Sequence, residues 1–218
     1  MKSRKWLTVG VIIIIGIILL PVLRGWWEAV SSRNEAMSAK PVIYLYPQET
    51  MTVEVSLDFG GKLTCTYPKY ESGWKVIAQP DGTLLNVNDN REYSYLFWEG
   101  LDDNDYDLSE GFVVKGEDTA AFLQEKLALL GLLPHEYNEF IVYWLPKMQE
   151  NPYNLITFQT DAYTEFAKLS IIPQPDSLLR VFMVYQALEE PMEVEEPELT
   201  GFDREGFTVV EWGGKEVQ

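Results

Sequence analysis

Residues 6–23 read WLTVGVIIIIGIILLPVL, eighteen positions without a charge, and nothing later in the chain repeats that pattern. A helix of this length rises roughly 27 Å, close to the hydrocarbon thickness of a bilayer. In lipid the backbone has to satisfy its own hydrogen bonds, so the run is expected to be helical. Pro21 falls near its end, where a helix loses least by breaking. Trp6 on one flank and Trp26 and Trp27 on the other suit the two membrane interfaces. The competing expectation, a cleaved signal peptide, wants a shorter apolar region and a small-x-small site directly after it. The chain instead continues Pro21-Val22-Leu23-Arg24-Gly25-Trp26-Trp27. The pattern therefore predicts a transmembrane signal anchor at 6–23, a stub at 1–5, a stalk at 24–40 and one domain at 41–218. Lys2, Arg4 and Lys5 outnumber the basic residues just beyond the run, which puts the N-terminus in the cytoplasm and the domain outside the cell membrane.

From residue 41 the period shortens to two. Residues 41–47 form an apolar stretch bracketed by prolines. Over 52–59, Val53, Val55, Leu57 and Phe59 alternate with polar neighbours, the signature of a half-buried strand. Gly60-Gly61 then suggests a hairpin. A three-residue loop pairs Phe59 with Leu63, Leu57 with Cys65 and Val55 with Tyr67, which keeps all six on one face and Cys65 buried. Pro80-Asp81-Gly82 marks a second hairpin between 74–78 and 83–87. Further strands are expected at 93–98, 111–115, 140–145, 155–159, 168–172, 178–186 and 207–212. A helix is expected from an N-cap at Asp118 to Gly131, with Leu123, Leu127 and Leu130 on one face, and a second short helix from Pro134. Residues 189–198 read as an acidic, proline-interrupted loop. The sum is an α+β domain, mostly antiparallel β in a sandwich-like sheet, with a helical insert.

Charge narrows the partners. From Pro41 onward 11 basic residues face 32 acidic ones, a net charge near −21. Such a surface repels phosphate backbones, so nucleic acid is not an expected partner, and lipid is met through residues 6–23 alone. One cysteine, Cys65, excludes an internal disulfide and a cysteine-rich zinc site. One histidine, His135, excludes two-histidine metal sites within the chain, and its setting in Leu133-Pro134-His135-Glu136 suggests an exposed helical start.

Five strings resemble those of a family of microbial proteins with no assigned activity: KPVIYLYP at 40–47, YLFWE at 95–99, FIVYWLP at 140–146, PD at 175–176 followed by RVF at 180–182, and VVEWG at 209–213. The resemblance covers residues 40–214. It implies a single domain and supplies no site.

The residues offer three groups for chemistry. Glu99, Glu139 and Glu211 stand beside aromatic residues. Two of them facing a cleft could serve as acid and base on a glycoside, with no histidine needed. Trp98, Tyr143, Trp144 and Trp212 could stack on sugars, or fill the core instead. Asp103, Asp105 and Asp107 form an oxygen-rich loop of the kind that binds Ca²⁺, although the spacing is not that of an EF-hand; no other cofactor is expected. Tyr44, Tyr46, Tyr95, Phe97, Tyr143 and Trp144 could line a peptide groove, with sheet core as the commoner fate. The function expected is that of a membrane-anchored binding domain outside the cytoplasm, its partner an envelope polysaccharide or envelope protein. A cell-surface glycoside hydrolase is the alternative.

Overall fold

The computed structural model describes residues 36–218; the expected stub, the apolar run 6–23 and most of the expected stalk lie outside the described residues. Among the described residues no helix is long and apolar enough to cross a membrane. The first strand, β1, spans Ala36–Tyr46, so the last five residues of the expected stalk already belong to the domain.

The strands that follow are β2 (Met51–Phe59), β3 (Lys62–Tyr67), β4 (Trp74–Ala78), β5 (Leu84–Asn86), β6 (Arg91–Tyr93), β7 (Leu96–Asp102) and β8 (Phe112–Lys115). Helices α1 (Thr119–Leu129) and α2 (Pro134–Met148) come next, then β9 (Tyr153–Phe158), α3 (Thr160–Phe166), β10 (Ala167–Ile172), β11 (Ser177–Leu188) and β12 (Thr208–Val217). They build a seven-stranded sheet in the order β3-β7-β1-β12-β11-β9-β8 and a five-stranded sheet in the order β10-β2-β4-β5-β6. Pairing is antiparallel except between β11 and β12. The mostly antiparallel α+β expectation describes this architecture.

Two hydrophobic layers hold it. Alternation on β1 sends Ile43 and Leu45 toward the five-stranded sheet, where they meet Val53, Val55, Trp74, Val76, Trp98 and Phe182. The intervening Val42 and Tyr44 face the opposite way and pack with Leu123, Leu127, Phe140, Trp144 and Trp212. The seven-stranded sheet is thus covered on one face by the second sheet and on the other by α1 and α2. This explains why its central strands read as near-continuous apolar runs.

Two expectations are corrected. The segment 140–145 is not a strand. Glu136, Phe140, Trp144 and Met148 are buried at intervals of four along α2, a helical stripe that wins over the β-prone composition of FIVYWL. Pro134 takes the first turn, where its missing N–H costs nothing, and Pro146 comes in the last turn.

The β2–β3 hairpin does not form either. β2 pairs with β10 and β4, whereas β3 pairs with β7 at the edge of the other sheet. Gly60-Gly61 carries the chain between sheets. A Cβ on Gly61 would lie 2.3 Å from the Leu101 carbonyl oxygen, so only glycine permits the crossing. The β3–β7 register then shifts between Leu63 and Cys65. Leu63 stays against the inter-sheet core, but Cys65 and Tyr67 turn outward and Cys65 is exposed rather than buried.

Candidate functional site: an aromatic shelf beside helix α2

The helices leave the β7 and β3 end of the outer sheet face partly open. Phe97 and Glu99 are half-buried there, and Tyr67 is 59% exposed. Next to them β1 carries one extra residue against both neighbours, since Ala39 and Val42 pair with Gly214 and Trp212, and Ser38 and Val42 pair with Gly100 and Phe97. Lys40 sits in this bulge with φ +60°, a left-handed conformation that disfavours any side chain with a Cβ by roughly 1–2 kcal/mol. Gly213 makes the bulge possible from the other side, because a Cβ there would lie 3.0 Å from the Pro41 ring.

The bulge aims the Lys40 ammonium at three rings, 5.2 Å from the centroid of Tyr95, 5.6 Å from Phe97 and 6.0 Å from Tyr143. These distances are in the range of cation–π attraction. Lys147 approaches the Tyr143 ring as well, at 5.2 Å. Lys40, Asn138, Glu139, Val142 and Tyr143 line an open hollow of about 480 Å³, and Val142 is 75% exposed beside it. Burial and the Glu99 carboxylate both push the Tyr143 phenol above its ordinary value. Glu139 accepts a hydrogen bond of 3.1 Å from the buried Tyr44 hydroxyl. Burial first, then the Glu139 charge, raises the Tyr44 pKa. Farther along, the Tyr46 hydroxyl lies 2.8 Å from Nε2 of His135, which is exposed as expected.

The three candidate acids therefore separate. Glu99 and Glu139 share the outer face. Glu211 is fully buried among the inner residues, where the Arg180 Nε donates to it at 2.6 Å and the Trp98 indole at 3.2 Å. Arg180 in turn stacks over Tyr163 at 4.7 Å. Burial works against the Arg180 charge, but Glu211 and Tyr163 outweigh it and its pKa rises. This ion pair is structural and offers Glu211 no route to a substrate. Trp98, Trp144 and Trp212 are fully buried, so of the four aromatic candidates only Tyr143 reaches the surface. From the proposed peptide groove, Tyr44 and Trp144 are core, while Tyr95, Phe97 and Tyr143 line the shelf.

The acidic loop after β7 is organised around an internal cation. Asp102 is buried, and its side chain, its carbonyl and the Asn104 carbonyl receive the Lys215 ammonium at 2.6, 3.5 and 3.2 Å. Ser38 donates to the second Asp102 oxygen at 2.5 Å. Asp103, Asp105 and Asp107 point to solvent. Asp107 accepts the Ser109 N–H, which holds its carboxyl below the usual range. Among the described residues no three His, Cys, Asp or Glu side chains group as metal ligands.

Sequence reasoning missed Lys40 and Tyr67. Nothing local announces the bulge, since a residue before proline is normally extended. The signal that could have pointed to Lys40 is its place at the head of the KPVIYLYP string. Three of the five strings meet on the shelf: Lys40, Tyr95 with Phe97 and Glu99, and Tyr143. VVEWG supports it from below through Gly213.

No family model and no solved structure matches the chain. A stretch of 64 residues is 47% identical to an uncharacterized protein in the bglA 3′ region of Butyrivibrio fibrisolvens, a match over 28% of this chain. The chain spans 65% of that relative's length.

Proposed function

We propose that this chain is a single-pass membrane protein that holds its acidic α+β domain outside the cytoplasm, where the shelf beside α2 binds an envelope polysaccharide. The reading of the anchor rests on residues 6–23 and the basic residues before them. The reading of the shelf rests on one observation above the rest: a strained bulge presents Lys40 to a surface of three aromatic rings flanked by two carboxylates. Aromatic rings stack on the C–H side of a sugar where their faces and edges are open, and Glu99 and Glu139 offer partners to its hydroxyls. Strain of this type persists only where surrounding structure holds it, and it clusters at working sites.

A glycan array probed with the full-length protein in lipid nanodiscs tests the binding reading. Retention of one or more glycans, lost on Tyr143→Ala, is the expected result. An empty array, or retention unaffected by Tyr143→Ala, contradicts it. A second reading, glycoside hydrolysis, is favoured by Glu99 and Glu139 flanking the same open shelf. Release of reducing ends from a bound glycan, abolished by both Glu99→Gln and Glu139→Gln, would establish it; binding without release would leave the domain a binding module.

A further inference from the structure

The hollow at α2 is not the only one in the domain. A second, of about 370 Å³, is lined by Tyr67, Thr83, Glu92, Tyr93, Ser94 and Tyr95. Tyr95 links the two, because its ring lies 5.2 Å from the ammonium of Lys40, which lines the first hollow. Phe97 closes the gap: it is the ladder partner of Tyr67 across β7 and β3. The Tyr67 ring is braced edge-on against Tyr93, with centroids 5.0 Å apart, yet most of its surface remains in water. An aromatic floor thus runs from Tyr143 through Phe97 and Tyr95 to Tyr67, crossing the strands. Hydrogen-bonding groups stand at both ends, Asn138 and Glu139 at one, Thr83 and Ser94 at the other.

We infer that the ligand is a linear glycan without acidic groups lying across both hollows, with more than one sugar ring in contact; this rests on the reading of the shelf as a polysaccharide-binding face. The length follows from the contact between Lys40, which lines the first hollow, and the ring of Tyr95, which lines the second. The absence of acidic groups on the ligand follows from the domain itself. A net charge near −21 repels anionic polymers, and Glu92, Glu99 and Glu139 line or flank the path. The two ammonium groups along it, Lys40 and Lys147, are each turned onto a ring. A peptide added to the free edge of β3 would use backbone groups instead and would not need Tyr143.

Isothermal titration of the full-length protein in nanodiscs with cello-, xylo- and chito-oligosaccharides of two and six residues separates these claims. In at least one series the hexasaccharide should bind about tenfold or more tightly than the disaccharide. Tyr67→Ala should remove most of that gain by weakening the hexasaccharide more than the disaccharide, whereas Tyr143→Ala should weaken both to a similar degree. Tyr67 is an exposed edge residue, and thermal unfolding of the variant verifies that the fold is intact. Equal affinity for the two lengths, or a Tyr67→Ala variant that keeps the gain, overturns the extended site while leaving a glycan-binding shelf in place. If no hexasaccharide of the three series binds, the inference also fails, and the array above decides separately whether the shelf binds glycans at all.

Discussion

Residues on this sheet act according to the face on which alternation puts them. Trp98 and Glu99 are neighbours in sequence, but Trp98 is in the inter-sheet core and Glu99 stands on the shelf. Glu211 and Trp212 divide the same way, except that β12 is covered on both faces and so both are buried. Glu211 is tolerable there because Arg180 and the Trp98 indole satisfy it. Glu211→Gln would strand the Arg180 charge and should cost about 3–5 kcal/mol of stability, whereas the paired change Arg180→Met with Glu211→Leu should recover much of that loss. Urea unfolding measures both, and a Glu211→Gln protein as stable as the parent would contradict the pairing. The tyrosines make a second prediction. Burial, reinforced by Glu139 at Tyr44 and Glu136 at Tyr46, raises the phenol pKa values in the folded state. The unfolded chain releases these protons above about pH 10 and the folded one does not, so stability is full below that pH and falls as pH rises further. Phenolate absorbance from the buried tyrosines should therefore appear together with loss of far-UV circular dichroism. Complete titration with the fold intact would refute it.

At the scale of elements, β3 decides how the outer face ends. Its place at the sheet edge makes Cys65 accessible, so one equivalent of a thiol reagent should react with the folded protein at the rate of a small exposed thiol. Reaction only on unfolding would restore the β2–β3 hairpin and its buried cysteine. That hairpin illustrates where the sequence ran out. The strands themselves were readable from their period, but two glycines suit a tight turn and a crossing between sheets equally well. The register shift after Leu63 then reverses the side-chain phase, which turns Cys65 and Tyr67 outward. The expected strand at 140–145 gives way to α2 for a different reason. Within 140–145 the residues are aromatic and β-branched, and the four-residue stripe emerges only when the window extends back to Glu136. Glu136 is held by more than the stripe. It accepts the Leu133 N–H at 2.7 Å, and Arg204 from the segment before β12 pairs with it. For the shelf, Tyr143, Glu99 and Glu139 are legible in the sequence as candidates, whereas Lys40 depends on a bulge that no local pattern encodes.

At the scale of the molecule, an apolar run outside the described residues precedes in sequence an acidic domain with one partly open face. A net charge near −21 over residues 41–218 sets up a field that opposes the approach of phosphate-bearing polymers. The loop at 189–198 gives the arrangement a direct handle, because Glu189 and Glu193 are exposed there. Intact cells treated with a glutamate-specific protease, followed by fractionation and mapping of the cleavage site, report on the tether and the side of the membrane together. The account predicts cleavage within 189–198 without lysis, with the N-terminal fragment recovered in the membrane fraction. A full-length chain that survives on intact cells and is cut only after lysis, or that fractionates with the cytosol, would contradict it.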